Sequence, residues 1–166
     1  MEKAPRRGQI HQTPPVLDVL DKLIAALAAP QHGYVTRAQL LSLGLGRRAI
    51  QSRVARGWLI PVYAGVYAVS YVNRSPAGRA MAAVLACGEN AVLSHGSAAS
   101  LWGFYKYWDE PFEVTAPTVR QRPGIKVHRS IKLLRPDLDR ELGIPLTSPA
   151  RTVLDVAPRL ADNRLT

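Results

Sequence analysis

Negative charge is missing from a long stretch of this chain, since no aspartate or glutamate occurs between Asp21 and Glu89. The whole chain carries a formal net charge of +10. A surface so basic and so poor in acid suits a polyanionic partner, either nucleic acid or an anionic membrane. The basic residues inside the acid-free stretch are Lys22, Arg37, Arg47, Arg48, Arg53, Arg56, Arg74 and Arg79.

Other absences narrow the class of protein. A single cysteine, Cys87, excludes an internal disulfide framework and a cysteine-rich zinc site. No run of about 18 apolar residues is present, which argues against a membrane span. The basic start MEKAPRRGQIHQTPP is not followed by the apolar core of a signal peptide. We therefore expect a cytoplasmic protein with no membrane partner.

Catalytic patterns are scarce as well. The four histidines lie far apart in sequence, with neither HExxH nor another metal-ligand spacing. The few carboxylates form no recognisable catalytic pair, and no glycine-rich loop is placed to hold a phosphate. Ser94 precedes His95 at a predicted helix start, where serine is typical of a cap rather than of a nucleophile. We predict a protein that is not an enzyme and needs no cofactor and no metal.

What is present in residues 13–74 predicts a winged helix-turn-helix domain. An apolar stripe of helical period predicts a first helix, and Thr36 is a suitable N-cap for a second. A tight turn at 44–46 leads to a third, basic helix, and two short strands follow around Ala64–Gly65. Helix, helix, turn, helix and hairpin in this order are typical of a winged helix. The predicted segments are helices over 16–29, 37–43 and 47–56 and a hairpin over 58–69.

The third predicted helix divides into two faces. At about 100° per residue, Ile50 and Val54 fall on an apolar face, opposite a polar one. Arginine pairs bidentately with guanine and glutamine with adenine, and the N-terminal residues of such a helix reach the bases. We predict base contacts from Arg47, Arg48, Gln51 and Ser52. We predict phosphate or sugar contacts from Thr36, Arg37, Arg53, Arg56 and Tyr63, although packing is the alternative fate of Tyr63.

The remaining sequence predicts a different kind of unit over 75–166, a small mixed α/β domain, so that the whole chain is of the α+β class. Ser75 with Pro76 opens an Ala-rich helix that ends at Cys87. Later segments predict a short helix capped by Ser94, a strand over 112–116, a basic hairpin over 119–130, and a strand and helix over 144–157. Residues 1–12 predict a flexible basic arm, or alternatively an arm that enters a DNA groove.

Two features of the second unit leave alternatives open. The first feature is a basic patch, whose residues are Arg120, Arg122, Lys126 and Arg129. Three interpretations of the patch stay open: a solvated hairpin, an additional DNA contact and a docking site for an acidic partner. Six aromatic residues within 102–112 are core residues if buried, and exposed members would indicate a protein interface.

A known family shares the order of four segments in this chain: TRAQLLSLGLGRRAIQSRVARGWLIPVYAGVYAV, AVLACGENAVLSHGSAASLWGF, GIKVHRS and GIPLTSPARTVLDVA. Together they closely resemble the AbiEi-family antitoxins of type IV toxin–antitoxin (abortive infection) systems. The resemblance covers about residues 34–157. Carried over residue by residue, it implies a DNA-binding role for Arg37, Arg47, Arg48, Gln51, Ser52 and Arg56.

The resemblance also implies a function and partners. It implies a winged helix that binds inverted repeats upstream of its own operon and represses transcription, as a monomer or weak dimer on DNA. It implies a second portion that counteracts a nucleotidyltransferase-like toxin. A protein-interaction module with little DNA binding and an orphan transcriptional regulator are the alternatives.

Two departures from the family pattern give further expectations. Family members run on past the segment that resembles SPARTVLD, whereas this sequence ends at Thr166, so we expect a truncated or a reduced second domain. The predicted wing tip also carries no lysine or arginine, where relatives often have a basic residue.

Overall fold

The computed structural model describes residues 15–118 and 121–162, which form six α-helices and eight β-strands. The helices are α1 (Pro15–Ala28), α2 (Arg37–Ser42), α3 (Arg47–Ala55), α4 (Pro76–Cys87), α5 (His95–Leu101) and α6 (Pro149–Asp162). The strands are β1 (Tyr34–Thr36), β2 (Leu59–Tyr63), β3 (Val66–Val69), β4 (Val92–Leu93), β5 (Phe112–Ala116), β6 (Ile125–Arg129), β7 (Leu138–Glu141) and β8 (Ile144–Thr147). The mixture confirms the predicted α+β class. The predicted arm over 1–12 and Arg120 lie outside the described residues.

The first three helices and strands form a winged helix-turn-helix. The sheet has the order β1-β3-β2 and is antiparallel throughout. The β2–β3 turn contains Ala64 and Gly65, and Gly65 has φ +78°, which glycine adopts without steric cost. The short strand β1 was not predicted; it pairs with β3 and places the start of α2 beside the wing turn.

A capping box starts the short helix α2. The Thr36 side chain accepts a hydrogen bond from the Gln39 backbone N–H, and the Gln39 side chain accepts one from the Thr36 N–H. The Arg37 backbone N–H donates to the Gly65 carbonyl at 2.7 Å. These bonds fix the beginning of α2 and the wing turn against each other.

The winged helix has its own apolar core, and the predicted apolar face of α3 is part of it. Ile50 is 3% exposed and packs among residues of α1, α2 and β2. The buried members of this core are Ile24, Ala28, Val35, Leu40, Leu45, Ile50, Leu59 and Val69. Burial of one face of α3 leaves the opposite face to solvent.

A second sheet, of mixed direction, has the order β6-β5-β4-β8-β7. The predicted hairpin over 119–130 is wrong in its described part, because β6 pairs in parallel with β5, and only an isolated bridge joins Arg122 to Ile125. β7 was not predicted either; it forms a hairpin with β8. Parallel pairing joins strands that no tight turn connects, so local sequence patterns do not predict the β5–β6 pair. The β7–β8 hairpin turns at Leu142 and Gly143, and this local signal was missed.

Helix α4 lies between the two sheets. One core cluster joins Tyr34, Val66 and Ala68 of the wing sheet to α4 and to Val114 and Leu146 of the second sheet. The many alanines of α4 let both sheets come close to the helix axis. The division into domains at 74/75 stays a prediction, since this cluster contains residues from both sides of it.

Helices α5 and α6 cover the other face of the second sheet. The Thr152 hydroxyl of α6 lies 2.8 Å from the Thr147 hydroxyl, and the Ser97 hydroxyl of α5 accepts a hydrogen bond from the Glu113 backbone N–H. These hydrogen bonds satisfy the Thr147 hydroxyl and the Glu113 backbone N–H, which are buried beneath the covering helices. Within residues 15–118 and 121–162, no helix has the length and apolar character needed to cross a bilayer.

Candidate nucleic-acid interface

The exposed face of α3 presents the four residues for which base contacts are predicted: Arg47, Arg48, Gln51 and Ser52. The Gly46 N-cap offers no side chain to the first turn, and the first intrahelical bond runs from the Ile50 N–H to the Gly46 carbonyl. The N–H groups of residues 47–49 therefore remain unpaired within the described chain, at the positive end of the helix dipole. This end of α3 attracts anions by charge and by hydrogen bonding.

A groove separates α3 from the wing. Its volume is about 450 Å³, and Arg37, Arg47 and Gln51 line it on the helix side. Pro61, Ala64, Gly65 and Tyr67 line the side of the wing. Because Arg37 opens α2 while Arg47 opens α3, the two N-terminal arginines of the helix-turn-helix face one groove.

The arginines of this surface have no acidic partner among the residues that the structure describes. The side chains of Arg37, Arg47 and Arg48 make no ion pair or hydrogen bond with other residues of the described ranges. Arg56 is also exposed, and its Nε donates only to the carbonyl of Ser52, one turn earlier, at 3.3 Å. The charge that the sequence concentrates here is thus left facing solvent.

Arg53 does not belong to this surface, which corrects the predicted phosphate contact. Its side chain is 2% exposed, and Nε and Nη2 donate to one carboxylate oxygen of Asp21 at 2.8 and 2.7 Å. Nη1 donates to the Ala49 carbonyl, and the guanidinium lies 5.9 Å from the ring centre of Trp58. A buried arginine engaged on all sides joins α3 to α1 and is unable to reach a phosphate.

Tyr63 lines this groove, whereas Thr36 lines a neighbouring cleft next to Arg37. The Thr36 oxygen accepts the capping bond, which leaves its O–H as a donor toward solvent. Tyr63 is half-buried, and burial raises the pKa of its phenol, so the hydroxyl stays protonated at neutral pH. Tyr63 also packs against the core cluster that contains α4.

The structure distributes the second predicted basic patch over separate places. Arg122 donates from Nε to the Ala86 carbonyl at 3.0 Å and lines a cleft shared with Arg37, Gln39 and the wing turn. Lys126 lies 3.9 Å from the Glu113 carboxylate, and Arg129 is exposed at the end of β6. Of these three, Arg122 alone lines a cavity together with helix-turn-helix residues.

A cluster of ionisable side chains in the second unit escaped prediction from the sequence. The rings of His95 and His128 stack with their centres 3.7 Å apart, and His128 Nε2 lies 2.7 Å from a Glu113 oxygen. Arg159 donates to both Glu113 oxygens, at 2.5 and 2.6 Å. The parallel pairing of β5 with β6 brings His128 beside Glu113, 15 residues earlier. A prediction that placed β6 in a local hairpin had no means of finding this cluster.

Ser94 takes part in this cluster and is not the predicted side-chain cap. It occupies the N-cap position of α5, but its hydroxyl lies 3.0 Å from His95 Nδ1 and accepts a hydrogen bond from Thr115 at 2.8 Å. His95 adopts a left-handed backbone with φ +51°. Such a conformation costs about 1–3 kcal/mol in a residue other than glycine.

The cluster shifts the pKa values of its members. Burial opposes ionisation of Glu113, but hydrogen bonds from Arg159 and His128 outweigh it and lower its pKa to about 2. Burial, followed by the charge of His128, lowers the pKa of His95. At neutral pH, Glu113 is therefore an ionised acceptor and His95 is neutral.

The ligating atoms of His95, Glu113 and His128 lie within 4.8 Å of one another, a donor set of the kind that binds metal ions. Two observations oppose an ion in this arrangement. A metal lies in the plane of an imidazole that binds it, and two parallel rings share no such position. Arg159 and Lys126 also add positive charge where the ion would lie. We assign the cluster to fastening α5, α6 and β6 onto β5.

The exposed basic helix, the turn before it and the two-stranded wing together define a winged helix-turn-helix DNA-binding regulator, joined to a mixed α/β unit. Residues 22–70, which include nearly all of that motif, match the family described as "Transcriptional regulator, AbiEi antitoxin". This segment therefore matches the AbiEi antitoxin family of transcriptional regulators, which confirms the resemblance over residues 22–70. The family is one of regulators and antitoxins rather than of enzymes.

Two curated relatives come from Mycobacterium tuberculosis. They are "Uncharacterized protein MT2308" of strain CDC 1551 / Oshkosh and "Uncharacterized protein Rv2248" of strain ATCC 25618 / H37Rv, and each is 34% identical to this chain over 116 residues. The matched part is 69% of this chain and 41% of each relative. The chain thus spans about two fifths of their length.

Proposed function

We propose that this protein is a sequence-specific transcriptional repressor in the cytoplasm, which binds inverted repeats upstream of its own operon as the antitoxin of a toxin–antitoxin pair. One observation supports DNA binding above all others. The face of α3 opposite Ile50 is exposed, basic and without an acidic partner in the part of the chain that the structure describes, whereas Ile50 fixes the helix to the core. A helix held in this way is suited to enter the major groove with its N-terminal turn toward the bases.

Sequence recognition is assigned to the first two turns of α3. Arg47 and Arg48 supply donors for guanine, and Gln51 supplies the donor and acceptor pair that adenine requires. Ala49 is half-buried and Ser52 is exposed, and both are small, so the helix backbone is able to come close to the base edges.

Phosphate contacts are assigned to residues around that helix. Arg37 and Arg56 lie on either side of the exposed face, and the unpaired N–H groups at the start of α3 add further donors. Tyr63 lines the groove and Thr36 caps α2 next to Arg37, whereas Arg53 makes no phosphate contact because it is buried. The wing adds shape rather than charge, since Ala64 and Gly65 form its tip.

Exposed apolar side chains favour a second role for the second unit. Phe104 and Tyr107 are 49% and 70% exposed, and Ile131 and Leu134 are 71% and 67% exposed. Aromatic residues are common anchors of protein interfaces. We assign contact with a nucleotidyltransferase-like toxin to this unit, in addition to DNA binding by the first.

The DNA-binding proposal is tested by fluorescence anisotropy with the duplex upstream of the protein's own reading frame and with a shuffled duplex of equal composition. We expect a preference of at least about 100-fold for the upstream duplex, because specific binding exceeds nonspecific binding by large factors. Two protected half-sites in a footprint would support inverted repeats. Equal affinity for both duplexes would show sequence-blind binding and would refute the repressor.

The toxin proposal is tested separately, by co-expression with the product of the adjacent open reading frame. We expect a stable complex and relief of growth arrest, both weakened by the double variant Phe104→Ser/Tyr107→Ser. A matched control is the variant Leu41→Ser, which removes an exposed apolar residue from the first unit. Growth arrest that persists in the presence of the wild-type protein would refute the antitoxin role.

A further inference from the structure

A pocket lies between the wing sheet and α4, away from the exposed face of α3. Its volume is about 390 Å³, within the range typical of small-molecule sites. Val62, Val72 and Ala82 supply an apolar wall. The polar lining consists of Tyr34, Tyr63, Arg74 and Arg79.

The polar lining is composed of donors, some of them unused. Arg74 is exposed and makes no hydrogen bond or ion pair with the described residues. The Tyr63 hydroxyl has no partner in the described ranges, whereas the Tyr34 hydroxyl donates to the Asn73 carbonyl at 2.6 Å. Arg79 pairs with Glu110 and lies 5.3 Å from the ring centre of Phe112, which holds its guanidinium in place. The pocket therefore offers two cations and one free hydroxyl beside an apolar wall.

We propose that this pocket binds a small apolar carboxylate, with the carboxylate between Arg74 and Arg79 and the body against Val62, Val72 and Ala82. Guanidinium groups match a carboxylate in geometry and charge, and the hydroxyl of Tyr63 supplies one more donor. A ligand with several negative charges fits less well, because Glu110 already neutralises part of the positive charge of Arg79. Burial raises the pKa of both phenols, so both remain neutral when an anion enters, and the Tyr63 hydroxyl is the one free to donate to it.

The position of Tyr63 connects this pocket to the DNA surface. Tyr63 lines the pocket and also lines the groove between α3 and the wing. A bound carboxylate that accepts a hydrogen bond from the Tyr63 hydroxyl draws this hydroxyl away from the groove. The negative charge of the carboxylate also repels DNA phosphates that approach the neighbouring surface. The ligand accordingly weakens DNA binding. This regulatory part rests on the proposed function, whereas ligand binding does not.

Calorimetric titration of the full chain with 2-naphthoate, in the absence of DNA, tests the binding site. We expect saturable binding, at least tenfold weaker for the neutral analogue 2-naphthamide and at least tenfold weaker for Arg74→Gln. Arg79→Gln is expected to weaken binding as strongly, but Arg74→Gln is the decisive variant because its side chain holds no structural contact. The control Lys132→Gln removes an exposed charge from a distant loop and is expected to bind 2-naphthoate normally.

The site is refuted if 2-naphthoate shows no saturable binding to the wild type. It is also refuted if 2-naphthamide binds the wild type, and 2-naphthoate binds Arg74→Gln, as tightly as 2-naphthoate binds the wild type. The regulatory part is tested by operator affinity at saturating 2-naphthoate, where we expect at least a fivefold loss in the wild type and a smaller loss in Tyr63→Phe, in which only the charge repulsion acts. Unchanged operator affinity would refute the coupling while leaving the site intact. A protein that binds 2-naphthoate but no DNA would refute the proposed function alone.

Discussion

On the winged-helix surface, Arg47 and Arg48 face solvent and pair with no carboxylate of residues 15–118 and 121–162, whereas in the second unit Arg159, Lys126 and His128 surround one carboxylate, Glu113. The first arrangement leaves donors and charge available to a partner. The second satisfies them inside the fold, where they fasten helix α6 and strand β6. We therefore expect binding where positive charge has no acidic partner, and not wherever positive charge is concentrated.

Arg53 shows that the same distinction operates within a single helix. It lies on α3 between exposed arginines, but it bonds to Asp21 on α1 and is buried. The acid-free stretch begins directly after Asp21, so the last carboxylate before it neutralises one of its arginines. Five positions separate Arg53 from Arg48, and their roles differ because of that one partner.

The largest expected effect comes from removing both Arg47 and Arg48, which have no acidic partner among the described residues. The double variant Arg47→Ala/Arg48→Ala should weaken operator binding at least 100-fold, since each bidentate base contact is worth about 1–3 kcal/mol. Its unfolding free energy should stay within about 0.5 kcal/mol of the wild type, because both side chains are exposed. Anisotropy and urea unfolding measure the two quantities. The charge-matched control Lys106→Ala/Arg140→Ala should bind nearly normally; equal losses in both variants would indicate bulk charge rather than base recognition.

Acid should destabilise the second unit, where basic side chains surround Glu113. Glu113 has a folded pKa of about 2 against an ordinary value of 4.5, so the unfolded chain binds more protons and stability falls as the pH drops through this window. The loss attributable to Glu113 is about 3 kcal/mol at most. The lowered pKa of His95 acts in the same direction, beginning below about pH 6.5. Urea unfolding from pH 7 to pH 3 checks both.

Glu113→Gln is the control for the acid effect. It should be less stable at pH 7 and should lose less further stability between pH 4.5 and pH 3 than the wild type. If the two proteins show parallel pH profiles in that interval, the attribution to Glu113 is wrong.

Asp21→Ala should destabilise the winged helix by about 2 kcal/mol, because it leaves the buried guanidinium of Arg53 without its counter-ion. We set this below the loss for fully buried pairs because Asp21 is 36% exposed. Operator affinity measured on the folded protein should not change. In the double variant Asp21→Ala/Arg53→Met, much of the stability should return, and a double variant as unstable as the sum of the singles would contradict the pairing.

The smallest effect is expected for Arg122→Ala. This residue adjoins α2 and the wing from the second unit, and a phosphate contact there should contribute about 1 kcal/mol or less. The variant should lose about threefold to fivefold in affinity for operator and shuffled duplexes alike, as expected for a contact that reads no base. Arg129→Ala is the matched control; an equal loss there would extend the DNA surface along β6.

Local signals in the sequence predicted much of the first unit. The period of α3 placed Ile50 inside and Arg48 outside, and the Thr36 cap and the glycine turn gave the boundaries of the motif. Such features depend on residues a few positions apart, where spacing and turn chemistry act directly. The helix α4 and the strand β5 were predicted with their observed ends for the same reason.

Features that depend on distant pairing were not predicted. Arg53 looked like its neighbours because its partner lies 32 residues earlier. The cluster of His95, Glu113 and His128 depends on the parallel register of β5 and β6, which a one-residue shift would destroy. The fold therefore determines which arginines have an acidic partner. For this reason the predicted phosphate contact of Arg53 is dropped, whereas those of Arg37 and Arg56 are kept.

The salt dependence of operator binding tests most directly whether the unpartnered arginines of the winged helix contact phosphates. With about five phosphates neutralised, the logarithm of the binding constant should fall with the logarithm of salt concentration at a slope of about −4 to −5. The slope should become shallower by about 1 in Arg37→Ala and in Arg56→Ala, and should not change in Asp21→Ala. A wild-type slope no steeper than about −1 would contradict the account.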